Sequence, residues 1–335
     1  MTTKADETKA DDSWPLIEDA VYQLFAELAA KNPGDHIAIG PRLAELGWSD
    51  IEAEYPIESC ELLFRAQGRT LAHTDCLDRA MVAELSAVLD RPVDGIVLPN
   101  LDHGDAPGSN DDRVSGIVLG PLDGRGRLVV PVSGPMGTVS IGVVHAGELT
   151  GRRLNTFDPS AYWTSVSGPM NEPLTDASTE WNRAIAAAHR AVATELVALA
   201  ERALRIAVQH ISVRVQYGSP IGAFQSPRHA LADAWARLEG VQALLGESWR
   251  YGGRLSAQTA KAAAGRAHRA VADVALQVCG AIGLTSEHEL HRYVTRGFQI
   301  DSLCGSYRQL EAKLAEHLFD SYSPGHSLPL ITSCH

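Results

Sequence analysis

Three side chains suited to gripping a polar ligand sit at loop edges in the second half of the chain: Arg214, Gln225 and Gln277. Arg214 opens the string Arg214-Val215-Gln216-Tyr217-Gly218-Ser219-Pro220-Ile221-Gly222-Ala223-Phe224-Gln225. Its guanidinium fork matches phosphate oxygens. Gln225 and Gln277 could each bond a neutral heterocycle or a ribose. Gly280 and Gly283, just after Gln277, leave room for a ligand to approach backbone. The same residues also suit a helix-bundle corner with a surface Arg, because short motifs match by chance.

Helices must position these groups. Ser226 and Pro227 have the types of an N-cap and a first helical residue. Ala230, Leu231, Ala234, Leu238, Val241 and Leu245 then recur at helical spacing. The Tyr217–Gln225 segment is therefore expected to be a hinge between two helices, not a strand turn. Before it, Ala188, Val192, Leu196, Leu199, Ala203, Ile206 and Ile211 form the stripe of a long helix, capped from Asp176, Ser178 or Thr179 and reaching Arg214. After it, helices are expected over 226–251, 256–279 and 306–320. In the first third, Ile17, Val21, Leu24, Phe25 and Leu28 fall on one helical face that ends near Asn32-Pro33-Gly34. Further helices are expected at 40–46, 57–68 and 74–89. From Val93 the period changes. Segments 95–98, 114–119, 127–132 and 139–144 are short, β-branched and bounded by turn residues such as Asp123-Gly124, with closing strands at 157–160 and 162–166 and a linker at 167–173.

The fold class is thus mostly α with a small central β domain. The expected divisions are a disordered tail at 1–13, an N-terminal helical domain at 14–92, a middle β domain at 93–166, a C-terminal helical bundle at 175–320 and a second tail at 321–335. With 29 basic against 41 acidic residues the net charge is -12, so no basic face for nucleic acid is expected. The five cysteines, Cys60, Cys76, Cys279, Cys304 and Cys334, are scattered without a CxxC pair. That points to a reducing, cytoplasmic setting and no zinc cage. The first dozen residues are polar and charged, so no signal peptide is expected. No run of about 18 apolar residues offers a membrane span. His288 and His291 stand at i, i+3 with no third ligand in view, so no metal site is expected.

The string Arg214, Tyr217, Gly218, Pro220, Ile221, Phe224, Gln225, followed by His229, Leu231, Ala232, Asp233 and then Gln277, Gly280, Gly283 and Glu287, resembles the C-terminal helical domain of the acyl-CoA dehydrogenase family. That family's loops read Arg-x-x-(Phe/Tyr)-Gly-x-Pro-Ile-x-x-Phe-Gln and Gln-x-x-Gly-Gly-x-Gly. The one break is Ala281 in place of Gly. The resemblance is close over the last half of the chain and loose over the first. It implies an N-terminal helical domain, a β-barrel-like middle domain and a C-terminal four-helix bundle. It implies FAD as cofactor, an acyl-CoA thioester as substrate and electron-transfer flavoprotein or a similar acceptor. It implies that Arg214, Tyr217, Gln225, Gln277, Gly280 and Gly283 reach FAD held by a neighbouring subunit.

In this family FAD takes a hydride from the β-carbon while a Glu removes the α-proton. One branch places that Glu in a Tyr-Glu-Gly-Thr motif. Counting from Gln277 lands on Leu303-Cys304-Gly305-Ser306, with Cys304 at the Glu position. A second branch carries it on the long helix, where counting back lands at Ala188-His189. Neither base is present. Glu195 and Asp301 are the substitute candidates, with solvated charge as the alternative for each; Cys304 is a poor base at an ordinary thiol pKa. The middle-domain segments that face a subunit's own flavin ring look depleted, since Trp163-Thr164-Ser165 falls too late to serve. The resemblance therefore implies a base-less subunit of a heteromeric enzyme, α2β2 with a Glu-bearing partner. The Gly280–His291 string is similar to paired subunits that oxidise bulky acyl-CoAs such as steroid side chains. The competing readings are a homomeric dehydrogenase with a displaced base, a flavin monooxygenase on the same fold, and a scaffold without cofactor.

Overall fold

The computed structural model describes residues 13–31 and 34–320. The expected tails, apart from Ser13, together with Asn32-Pro33 and Cys334, lie outside the described residues. Among the described residues the chain forms ten α-helices and nine strands. The first five helices are α1 (Trp14–Lys31), α2 (Gly40–Glu45), α3 (Trp48–Glu54), α4 (Pro56–Thr70) and α5 (Cys76–Leu85). Strands follow: β1 (Gly95–Ile96), β2 (Arg113–Leu119), β3 (Arg127–Ser133), β4 (Val139–His145), β5 (Thr150–Arg153), β6 (Trp163–Pro169) and β7 (Thr175–Asp176). Then come α6 (Ser178–Val213), the short strands β8 (Val215–Gln216) and β9 (Ser219–Pro220), α7 (Gln225–Tyr251), α8 (Arg254–Cys279), α9 (Leu290–Ile300) and α10 (Tyr307–Asp320).

α6 is the axis. It is apolar on nearly every side, and a helix apolar all round is one surrounded by protein. Its alanines Ala184, Ala188, Ala191, Ala200, Ala203 and Ala207 are buried, as are Ala260, Ala264, Ala267, Ala272 and Ala275 of the facing α8. Small side chains on both helices let the backbones approach closely. α4, α5, α7 and α9 pack around the same axis. α4 comes in so tightly that a Cβ on Gly68 would stand 2.7 Å from the Glu195 carbonyl oxygen and 2.9 Å from Ala198 Cβ.

The strands form two sheets, ordered β1-β3-β4-β7 and β2-β6-β5. All pairings are antiparallel except β1 with β3. Bridges Leu98–Ile117 and Ser109–Val132 tie the sheets together. Val97, Val114, Val118, Leu128, Val130, Val132, Val144 and Val166 fill a separate small core between them.

Several expectations need correction. The Tyr217–Gln225 segment does begin with a strand turn: β8 and β9 pair across Tyr217 and Gly218, at φ 52° and 81°. Two successive left-handed residues are what a two-residue hairpin requires. Ser226 caps nothing, because α7 starts one residue earlier, at Gln225. Residues 48–54 are helical, and so are 290–300. Residues 157–160 form no strand; Asp158 instead accepts hydrogen bonds from the Ser160 amide and hydroxyl in a tight turn. Strand pairing runs on to Pro169 and again at Thr175–Asp176, beyond the expected limit of 166. Asp176 accepts hydrogen bonds from the Ser178 amide and hydroxyl at the start of α6. Among the described residues no helix is long and apolar enough to cross a membrane.

Gly68→Ala is expected to lower the thermal unfolding midpoint. Overpacking against backbone costs about 1–3 kcal/mol, more than the ~1 kcal/mol gained in helix propensity. An unchanged or raised midpoint would show that α4 and α6 can separate freely.

Candidate functional site

The two positions where a family base would stand come together in space. His189, next to Ala188 on α6, bonds through Nε2 to the Cys304 carbonyl at 2.9 Å. Cys304 is buried in a left-handed turn, φ 53°, followed by Gly305 at φ 96°. Lys261 on α8 is fully buried and donates to the carbonyls of Asp301, at 2.9 Å, and Gly305. The turn is thus tied from below by a cation and from the side by an imidazole. Burial pushes the Cys304 thiol up to about 12. Burial, and then the Lys261 charge, brings His189 down to about 3. At neutral pH this place holds a neutral thiol and a neutral imidazole.

Asp301, the second candidate base, is engaged at the start of α10 in this arrangement. Both its oxygens accept from the Tyr307 amide at 3.2 Å, so it caps α10. Burial raises its pKa against the pull of Lys261.

Glu195 is engaged more fully. It is 4 % exposed, and Arg296 of α9 is 5 % exposed. Arg296 Nε and Nη2 both reach Glu195 Oε1, at 3.0 and 2.9 Å. Gln67 of α4 donates to Oε2 at 2.7 Å, and Thr74 donates to Gln67 Oε1 at 2.6 Å. On the other side Arg296 Nη1 donates to His73 Nδ1 at 2.5 Å. That leaves Nε2–H of His73 for Ser160 Oγ at 3.3 Å, whose hydroxyl donates to Asp158 at 2.6 Å. A single chain of bonds therefore runs from Thr74 to Asp158 through the middle of the molecule. Burial first, and then the Arg296 charge, brings His73 down to about 2. Burial, then Arg125, brings His36 down to about 3.

These groups line an interior cavity of about 20 Å³, walled also by Phe64, Trp163 and Ile300. That is room for about one water. A larger, open cleft of about 650 Å³ lies between α2, α5, β1 and residues 121–125. Its deepest charge, Asp78, is already paired with Arg125 at 2.8 Å.

Arg214, Tyr217, Gln225, Gln277 and Gly280 stand on the surface, and Gly283 is buried beneath them. Tyr217 is 96 % exposed. A Cβ on Gly280 or Gly218 would meet nothing within 4 Å, so the backbone there is open to an approaching ligand. Tested against FAD, the two regions differ. The filled interior has no room for a flavin ring, whereas the surface groups fit a diphosphate and adenosine offered from outside.

Arg296, Gln67, His73 and Thr74 were not foreseen. Arg296 adjoins the apolar stripe Leu290, Tyr293, Val294, Gly297 and Ile300 of α9. That stripe is readable in the sequence and marks Arg296 as a charge beside a buried face. The expectation that His288 lacks further ligands is also corrected. His291 turns back to the His288 carbonyl at 2.6 Å, while His288 itself meets His210 and Cys279.

Residues 182–303 match the family model described as acyl-CoA dehydrogenase, C-terminal domain. The acyl-CoA dehydrogenase IpdE2 of Mycobacterium tuberculosis is 27 % identical over 261 residues, 76 % of each chain. A structure of the ChsE4–ChsE5 complex from Mycobacterium tuberculosis superposes with a TM-score of 0.72 at 16 % identity, over 94 % of this chain and 99 % of that one. A variant of the Tcur3481–Tcur3483 steroid ACAD does so with a TM-score of 0.67 at 23 % identity, over 91 % and 92 %. At these identities the structural likeness speaks for the fold.

Two measurements check the site. Glu195→Gln leaves Arg296 as a buried cation without its counter-charge, expected to cost about 3–5 kcal/mol of stability. Glu195→Leu combined with Arg296→Met is expected to recover most of it. If the single variant melts like the native chain, the pair is not holding the interior. Stability should also fall as pH drops below 6.5. His36, His73, His189 and His268 (brought down by burial to about 4) all titrate below their ordinary 6.5 in the folded state. Acid therefore adds protons to the unfolded chain first, at about 1.4 kcal/mol per histidine per pH unit. Asp78, raised by burial to about 6, and Asp301, also raised by burial, oppose this at lower pH, but as two carboxylates against four histidines. Flat unfolding midpoints from pH 7 to 5 would contradict the four neutral histidines.

Proposed function

The chain belongs to the acyl-CoA dehydrogenase family, whose members bind FAD, and from that premise we propose that it is the base-less partner subunit of a heteromeric enzyme. The reaction is α,β-desaturation of an acyl-CoA thioester. A flavin held at the shared site would supply the acceptor for the β-hydride, and a carboxylate of the other subunit would take the α-proton. The observation that carries the reading is the bond between His189 and Cys304. It joins the two positions counted for a family base, Ala188-His189 and Cys304, neither of which carries a carboxylate of its own.

This chain's own contribution lies at its surface. Arg214 supplies a permanent positive fork for the FAD diphosphate. Gln225 and Gln277 offer amide donors and acceptors to ribose or adenine. The open backbone at Gly280 admits the ligand closely. Glu195 keeps the Arg296 charge neutralised in the interior. The substrate we assign is bulky, such as a steroid side chain. Likeness to the complex described as a steroid ACAD supports this choice. The assembly we assign is α2β2, passing electrons to electron-transfer flavoprotein or a similar acceptor. Likeness of fold to the ChsE4–ChsE5 complex supports two unlike subunits.

A homomeric enzyme using Glu195 is the competing reading, because Glu195 does line the interior cavity. Purified alone, the chain should be colourless; with its partner it should carry one FAD per pair of chains. Arg214→Ala should weaken flavin retention in the complex by roughly 10–100-fold, the loss of a charge-assisted bond of about 1.5–3 kcal/mol. The unfolding midpoint of the chain alone should stay put, because Arg214 is exposed. Full flavin loading without a partner would overturn the shared site. Glu195→Gln in the complex should keep the turnover per bound flavin; a fall of about 10²–10⁴ would make Glu195 the base.

A further inference from the structure

We infer that His210, Cys279 and His288 form a binding site for a borderline transition-metal ion, zinc in the first instance. His210 lies in the last turn of α6, Cys279 ends α8, and His288 lies in the turn before α9. One ligand atom from each lies within 4.8 Å of the other two. On a tetrahedral zinc ion, neighbouring nitrogen and sulfur ligands stand about 3.3–3.6 Å apart. Side-chain rotations that move each tip by about an ångström close the difference.

The donor set selects the ion. Two imidazoles and a thiolate suit zinc, cobalt or copper and disfavour magnesium and calcium, which need oxygen ligands. The fourth position is left to water. Each imidazole offers one ring nitrogen as a ligand, and the three ligand atoms already face one another within 4.8 Å. His288 gives up little. Its Nδ1 accepts a 3.2 Å bond from the Leu290 amide, in the first turn of α9. Cys279 is a buried thiol, and its proton leaves as the metal–sulfur bond forms. Arg214, one turn beyond His210, opposes a cation, and the thiolate offsets half of a divalent charge.

The three ligands come from the ends of two helices and the turn before a third, so the ion would pin the ends of α6 and α8 to the start of α9. The turn Gly280–Leu284 lies between two of the ligands. This inference stands whether or not the chain shares a flavin.

The test uses the full chain, stripped of metal and titrated with Co²⁺. One Co²⁺ per chain is expected, with tetrahedral visible bands and a thiolate-to-cobalt charge-transfer band, all displaced by Zn²⁺. Cys279→Ser and His210→Ala should each weaken Co²⁺ binding on the order of 100-fold, while Cys60→Ser should leave it unchanged. A folded native chain without the charge-transfer band, or a band that survives Cys279→Ser, would overturn the site. A second measurement needs no variant. Zn²⁺ should protect Cys279 from alkylation in the native chain, and equal labelling with and without Zn²⁺ would count against the site.

Discussion

A carboxylate and a guanidinium taken out of water tolerate each other only if their remaining hydrogen-bonding capacity is met. Glu195 and Arg296 are such a pair, and the centre of this molecule is arranged to meet that demand. Gln67 and Thr74 complete the carboxylate side; His73, Ser160 and Asp158 complete the cation side. The partners come from the N-terminal helices, from the turn before β6 and from α9. One electrostatic requirement therefore stitches α6, which carries Glu195, to three other stretches of chain that meet nowhere in sequence. It also explains the filled interior. Space given to polar groups that bond one another is space withheld from an acyl chain or a flavin ring.

The surface shows the opposite treatment. Arg214, Gln225 and Gln277 stand in solvent, and aromatic Tyr217 and Phe224 are exposed beside them. A tight two-residue hairpin and an open glycine turn hold the segments that carry them. Specialised side chains are thus concentrated where another molecule would touch, and quiet ones where chemistry would occur. A subunit that lends contacts and leaves the reaction to its neighbour would have this distribution.

The helical framework was legible because long amphipathic stripes survive any tertiary context. The β segments at 113–119, 127–133 and 139–145 were legible through their β-branched runs. The hairpin at Tyr217 was not, because a non-glycine residue at positive φ carries no compositional signal. The turn at Asp158 was read as a strand for a related reason: its side-chain-to-backbone bonds outweigh the strand propensity of its neighbours. The absence of a base at Ala188 and Cys304 could be counted from motif spacing. That the two positions touch through His189 could not, since the contact spans 115 residues of sequence. Glu195 was visible as a carboxylate on α6, but Arg296 and Gln67 give it its meaning, and their convergence exists only in three dimensions. The His210–Cys279–His288 group escaped for the same reason: spacing arguments see ligands on one element, and these come from three.

The left-handed turn at Cys304 has a consequence for how such a chain can change over time. A Glu at that position would have to occupy a backbone conformation that a side chain with a Cβ visits at a cost of about 1 kcal/mol. It would also bring a carboxylate into a buried turn whose carbonyls His189 and Lys261 already bond. Restoring the residue type alone would not restore a working base; the imidazole and the buried lysine would have to change with it. A change of residue at this buried, tied turn therefore depends on its neighbours changing with it, while the exposed loops can vary one residue at a time.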